Sequence, residues 1–225
     1  MSGKSVSKLE KFSPDPLILN SLTVSQPESG YRYTSDAIAL AVYADLTDSN
    51  RSAFDPPAQL KLIEAGCGCG IISLMLARQY PEVRITGIEI QEELASYAKN
   101  NVKACHLDDR IQILCQDLNR TRPNEIGGPA DLLIANPPYK KRGSGRLNPT
   151  LQKAIARHEI RLDIDQLFAS ADRLLTDEGK VCLIFPAERL EDIHRAANDW
   201  RFGIQSMRMI HTHRDALPAR VIVHA

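Results

Sequence analysis

The sequence predicts an α/β fold built on a largely parallel, seven-stranded sheet with helices on both faces. Three observations carry that expectation. From residue 60 onward, short apolar runs alternate with helical patterns, the arrangement that βαβ units with right-handed crossovers require. One of these runs, 131–135, is nearly all apolar, as in a strand covered on both faces. A chain of 225 residues and 25.0 kDa also suits one generous α/β domain, able to bury a core without staples.

The elements follow in order. Residues 1–16, with several Ser and Lys and closed by Pro14 and Pro16, read as a leader. Residues 22–24 and 31–33, on either side of the turn-prone stretch 27–30, are expected to pair as a small hairpin. Ser35 or Asp36 then caps a helix whose Ile38, Ala41, Val42 and Leu46 fall at helical spacing. Residues 48–59, with two prolines, read as a linker. The chain thus divides into 1–59 (leader, hairpin and cap helix) and a main domain, 60–225. Strands are expected there at 60–65, 83–90, 111–114, 131–135, 181–185, 204–210 and 220–224. Helices are expected at 71–79, through Leu94, Tyr97, Ala98 and Val102, near 164–175 and at 187–198. Trp200 and Phe202 are read as core. In open sheets of this kind ligands bind at the carboxyl ends of the strands, and both conspicuous motifs fall there.

Composition removes several function classes. An apolar fraction of 43% and a charged fraction of 25% are ordinary for a globular protein and exclude wholesale disorder. The N-terminus lacks the apolar region of a secretory signal, and no run approaches eighteen apolar residues, so no membrane span is expected. Five cysteines without a disulfide-type spacing read as reduced thiols in a cytoplasmic protein. Cys67 and Cys69 form a C-x-C with no second Cys/His cluster nearby, so no metal is expected. The sequence sets no oligomeric state. Lys plus Arg and Asp plus Glu each number 28, which excludes a uniformly basic nucleic-acid coat. That zero is a cancellation. Residues 140–161 carry seven basic groups against Glu159 alone, net +6.

The first motif is E-A-G-C-G-C-G at 64–70, leaving a strand and entering a helix. Gly66, Gly68 and Gly70 permit positive φ and close approach to a ligand. A tight turn with nothing bound would need neither three alternating glycines nor the acid. A dinucleotide loop requires G-x-G-x-x-G, and Ile71 occupies the last glycine's place. Glu64 would also repel a pyrophosphate, whereas it suits an ammonium group. Glu89, closing the next strand, is placed to accept from both ribose hydroxyls. Its plainer reading is an exposed strand-end carboxylate. Asp117 can receive an adenine amino group, although alone it reads equally as a helix cap or turn residue. Ammonium, ribose diol and adenine without phosphate describe S-adenosyl-L-methionine. At this point the chain resembles the class I methyltransferases, in which E/D-x-G-x-G-x-G is the cofactor loop.

The second motif is N-P-P-Y: Asn136, Pro137, Pro138 and Tyr139, directly after the fourth strand. Two prolines terminate a strand rigidly, and that alone would be a structural use. The chemical reading concerns a planar amino group, whose lone pair is delocalised. The Asn136 side-chain oxygen and the Pro137 carbonyl are acceptors for its two N–H bonds, and Tyr139 can stack on the base. In-line attack then needs positioning more than acid–base help, so His158 is assigned a structural or RNA-facing role.

Families with N-P-P-Y methylate either adenine N6 or a glutamine side chain of peptide release factors, and both substrates present a planar NH2. The glutamine enzymes carry a larger preceding helical domain. Here the stretch 29–41 (S-G-Y-R-Y-T-S-D-A-I-A-L-A), A-R-H-E at 156–159 and P-A-R-V-I-V at 218–223 resemble the tRNA1(Val) adenine-N6 methyltransferases. The resemblance covers about residues 30–225 and implies methylation of adenosine 37 in the valine tRNA. Lys140, Lys141, Arg142 and Arg146, immediately after Tyr139, are then phosphate contacts, although a charge run is more commonly a solvated face. The family usually continues beyond the strand in which this chain ends, which puts the C-terminal edge of the sheet in question. Three alternatives remain: glutamine methylation of a release factor, a non-catalytic RNA-binding protein, and, weakest, an NAD-dependent oxidoreductase.

Overall fold

The structure is a computed structural model, described here for residues 22, 24–28, 32–44, 46, 59–137 and 163–225. Residues 1–21, Pro138, Tyr139 and the basic stretch 140–161 with Lys140, Lys141, Arg142, Arg146 and His158 lie outside the described residues.

The elements are α1 (Ser35–Tyr43), β1 (Lys61–Ala65), α2 (Ile71–Gln79), β2 (Arg84–Glu89), α3 (Glu92–Ala104) and β3 (Ile111–Cys115). They continue as β4 (Ala130–Ala135), α4 (Ile164–Leu174), β5 (Leu175–Pro186), α5 (Leu190–Asp199), β6 (Ser206–His211) and β7 (Pro218–His224). One seven-stranded sheet runs β3-β2-β1-β4-β5-β7-β6. The pairs from β3 across to β5 are parallel, and β7 is antiparallel to both β5 and β6. The expected α/β class, strand number and mostly parallel sense are those observed.

Strand periodicity divides the core into two layers. Leu62, Ile85, Leu132, Ile134, Cys182 and Ile222 face the cluster shared with α1, α2 and α3. Ile63, Ile88, Leu133, Ala135, Leu183 and Val223 face the other, under α4 and α5. The apolar run of β4 is therefore two faces interleaved, each under its own helices. Phe168 of α4 is fully buried, and its ring centroid lies 5.4 Å from that of Phe202 at an interplanar angle of 54°.

Several boundaries differ from expectation for local reasons. The helix at 35–43 takes Thr34 as its N-cap, while the Asp36 carboxylate receives the Arg220 guanidinium at 2.9 Å and ties α1 to β7. β5 starts six residues early because Leu175 pairs with Ala130 before a register shift. At that irregularity a Cβ on Gly179 would lie 2.6 Å from the Cβ of Leu175 and 2.9 Å from the Thr176 carbonyl, so only glycine fits. The hairpin at 22–24 and 31–33 is not seen among the described residues: Leu22, Val24, Arg32 and Tyr33 are all outside strands. The backbone of Ser25 pairs instead with the side chain of Asn101. Trp200 is no core residue. It caps the C-terminus of α5 and is 36% exposed, whereas Phe202 packs inward. β7 lies inside the sheet, with Ala225 exchanging two backbone hydrogen bonds with Val181 at 2.6 and 2.9 Å.

The chain moves outward through β1, β2 and β3, then returns to place β4 on the other side of β1. That reversal puts a topological switch point at the carboxyl ends of β1 and β4, the place where open α/β sheets bind ligands.

Because Phe168 has no exposed surface, Phe168→Ala is expected to cost about 3–5 kcal/mol in urea denaturation. A loss below about 1 kcal/mol would show that the α4 layer is loosely packed.

Candidate active site at the carboxyl ends of the strands

Ala65 of β1 pairs with Ala135 of β4, so the glycine loop and Asn136 leave the sheet from adjacent strand ends. The loop is shaped by three left-handed glycines, with φ of 68° at Gly66, 56° at Gly68 and 85° at Gly70. At Gly66 an added Cβ would meet nothing within 4 Å, so backbone conformation is what demands glycine there. At Gly70 a Cβ would also touch Ala98 of α3 at 3.4 Å.

The loop is anchored to the end of β2. The amides of Gly66 and Cys67 both donate to the Ile88 carbonyl, at 2.8 and 3.0 Å. The Gly68 amide donates to Glu89 Oε2 at 2.9 Å, while Glu89 Oε1 accepts from the Gln91 amide at 2.9 Å. Glu89 is therefore buried, at 5% exposure, and not the solvated strand-end acid of its plainer reading. Oε1 also accepts a long hydrogen bond from the Gln91 side-chain amide at 3.5 Å, whereas Oε2 has the Gly68 amide as its one donor among the described residues and keeps a lone pair for a ligand hydroxyl.

Glu64 has a role that sequence spacing does not disclose. Gly70 is the N-cap of α2 and has no side chain with which to cap it. Glu64 Oε2 supplies that cap from β1, accepting from the Ser73 amide at 2.9 Å and from the Ser73 hydroxyl. Such a carboxylate complements the positive end of the helix. Burial nevertheless pushes the Glu64 carboxyl up to about 7, against the opposing pull of the Ser73 hydrogen bonds. Glu89 adds like-charge repulsion to that rise, and its own carboxyl is raised, chiefly by burial. Among the described residues neither acid is paired with a cationic side chain.

Asp117 follows β3 and caps a short turn of helix, accepting from the Asn119 amide at 2.9 Å. Its plainer reading as a cap is thus observed, one strand further along the rim from Glu89. Cys67 and Cys69 are buried, and burial next to the two acids raises both thiols, that of Cys69 to about 11. They stay protonated and act as packing. Asn136 is half-buried at the end of β4 and Pro137 is buried behind it.

Three residues of this region carry no signal in a single sequence. Ser73 reads as one more helical residue. Gly87 reads as a strand glycine, yet a Cβ there would lie 2.7 Å from Ile113 and 3.0 Å from Cys67 Sγ, so its absence makes the seat for the loop. Asn101 is buried beneath the Cys69–Gly70 end of the loop.

Buried acids without a cation, next to a diol-compatible carboxylate and a loop that approaches closely, fit a cofactor bearing positive charge and ribose. The donor set of this site therefore fits S-adenosyl-L-methionine.

Comparison with known proteins agrees. Residues 51–195 match the model of the methyltransferase small domain. A tRNA1(Val) (adenine(37)-N6)-methyltransferase of Porphyromonas gingivalis is 31% identical over 203 residues, 88% of this chain and 76% of that protein. The protein of the same name in Phocaeicola vulgatus is 29% identical, with 93% of this chain and 83% of the relative covered. Among solved structures, precorrin-6y C5,15-methyltransferase from Geobacter metallireducens superposes with TM-score 0.55 at 10% identity, covering 89% and 92% of the two chains. Geranyl diphosphate C-methyltransferase from Streptomyces coelicolor, solved with S-adenosyl-L-homocysteine, gives 0.51 at 14% identity, over 73% and 70%. At such identities these likenesses speak to fold alone.

The Glu64 carboxyl has a testable sign. Its folded pKa lies above its ordinary 4.5, so the folded state retains a proton that the unfolded chain releases. The associated stability is complete below about pH 4.5 and is lost as pH rises through about 7. For the ligand-free protein, Glu64→Gln is expected to flatten this decline and to be more stable than the parent at pH 8, by up to about 3 kcal/mol. Parallel pH profiles for the two in urea denaturation would contradict the assignment.

Proposed function

The chain belongs to the methyltransferase small domain family, and within it to the tRNA1(Val) (adenine(37)-N6)-methyltransferases, and on that basis we propose that it methylates N6 of adenosine 37 in the valine tRNA. It is an S-adenosylmethionine-dependent methyltransferase. The observation that carries the substrate reading is the pairing of Ala65 with Ala135, which sets the Asn136-Pro137 end of β4 beside the glycine loop.

S-adenosylmethionine supplies, when bound, an electrophilic methyl group on a positively charged sulfur. Glu64 complements the positive charge of the cofactor's ammonium group in a site where burial makes the effect large, and Glu89 adds to it. Glu89 also offers the remaining lone pair of Oε2 to the ribose, and Asp117 is assigned to the adenine end. On the substrate side, the Asn136 side-chain oxygen and the Pro137 carbonyl accept the two N–H bonds of the target amine. Holding both protons in this way turns the nitrogen lone pair out of conjugation and toward the methyl donor. Tyr139 stacks on the base and so fixes its height in the site. The proton leaves after transfer, when the nitrogen is cationic, so no side chain need abstract it first.

The tRNA would lie along the carboxyl rim. Lys140, Lys141, Arg142 and Arg146 follow the base-binding residues directly and are assigned to its phosphates. The pairing of Pro186 with Arg220 places the β6–β7 turn on this same rim. That turn exposes His213, Arg214 and Leu217, and Arg214 has no ionic partner among the described residues. Among the described residues, no helix is long and apolar enough to cross a membrane. The proposal places the enzyme in the cytoplasm with its tRNA.

The experiment incubates the protein and methyl-labelled cofactor with tRNA1(Val), with the same tRNA lacking adenine at 37, and with a peptide release factor. Label in the first alone is expected. Label in the release factor alone would replace the RNA reading with glutamine methylation. Asn136→Ala should lower kcat/KM about 100-fold while cofactor binding persists, and unchanged turnover would remove the role given to the motif. Reversal of Lys140, Lys141 and Arg142 to Glu, or of Arg214 to Glu, should weaken tRNA binding and shallow its salt dependence. Equal RNA affinity across a salt series would take these residues out of the interface.

A further inference from the structure

Asn101 lies on α3, at 2% exposure, among apolar neighbours where an uncharged amide must find partners or destabilise the fold. It finds them in two distant segments. Its Oδ1 accepts from the Ser25 amide at 2.8 Å, and its Nδ2 donates to the Ser25 carbonyl at 2.8 Å. The same Nδ2 donates to the Cys69 carbonyl at 2.9 Å. Both N–H bonds of the carboxamide are thus used, and Ser25 is met as it would be by one rung of a neighbouring strand.

The two ends of the glycine loop are held differently. Gly66, Cys67 and Gly68 are fixed from β2, through Ile88 and Glu89. The far end is the Cys69–Gly70 peptide, which sets the entry into α2. Its carbonyl is oriented by Asn101, and the Gly70 amide closes back on the Cys67 carbonyl at 2.8 Å. Asn101 is therefore the point at which the segment 24–28 and the loop meet.

We propose that Asn101 is a positioning residue for the cofactor: it fixes the Cys69–Gly70 peptide and makes its orientation depend on Ser25. The inference rests on the cofactor reading of the glycine loop and not on the choice of tRNA as substrate. Losing the amide would leave a buried carbonyl at Cys69 without a donor, a costly state that the peptide relieves by rotating. Rotation there alters the loop that approaches the cofactor. Ser25 is exposed and can turn to water, so the consequence falls on the loop.

The test uses the full chain and S-adenosyl-L-homocysteine as the probe. Asn101→Leu is expected to lower its affinity about 10-fold by calorimetry. Ser25→Pro, which removes the N–H that Asn101 Oδ1 accepts while keeping the carbonyl, should lower it several-fold through the same clasp and keeps the test open if the helix variant does not fold. Val83→Ala removes apolar contact at a buried site away from the loop and should leave the affinity unchanged. In the parent, bound S-adenosyl-L-homocysteine should slow hydrogen exchange at the Ser25 amide, and in Asn101→Leu it should not. Unchanged affinity in Ser25→Pro, or an equal loss in Val83→Ala, would overturn the proposal. Binding by the parent in the same titration checks the cofactor reading separately.

Discussion

Two carboxylates buried within interaction range of one another, with no cationic side chain among the described residues paired to them, set the terms for this structure. Glu64 and Glu89 close adjacent parallel strands, and each is consumed in holding backbone. Glu64 caps a helix whose own cap is a glycine, and Glu89 pins the middle of the loop. Both therefore have structural work that keeps them in place at an electrostatic cost. A positively charged ligand lowers that cost by favouring the ionised form of each acid. The ligand-free protein is in this sense destabilised at its own binding site, as ligand sites commonly are.

The sheet topology delivers the second half of the chemistry. Order reverses between β1 and β4, so residues about 70 positions apart in sequence emerge side by side. Methyl transfer needs a donor and an amine held in line, and little else. The fold places the glycine loop and the Asn136-Pro137 segment, which the proposed function assigns to the donor and the amine, on neighbouring strand ends, each rigid for its own reason. The loop is tied by hydrogen bonds to β2, and the Asn136 segment is stiffened by proline. Under the proposed function, positioning stands in for acid–base catalysis.

The fold was legible where a signal is local. The run 131–135 declares a strand covered on both faces, and three alternating glycines declare a left-handed turn from strand to helix. Signals failed where one residue serves a distant one. Thr34 takes the N-cap position of α1 without a side-chain cap hydrogen bond, and Asp36 binds Arg220, 184 positions away. β5 begins early because Gly179 permits an irregularity that pairs Leu175 with Ala130. Asn101 reads as an ordinary helical polar residue, since its partners stand 32 and 76 positions away. The site residues themselves were read from their positions after strands, but the reasons they stay there were not. The position of Glu64 before the glycines suggests an ammonium partner, and nothing in its spacing indicates a helix cap.

The most direct measurement follows the Glu64 carboxyl by carbon NMR through a pH titration, with and without S-adenosyl-L-homocysteine, whose ammonium remains charged. The account predicts titration near pH 7 in the free protein and at least a unit lower in the complex. A carboxyl that titrates in the ordinary range when free, or does not move on binding, would contradict it.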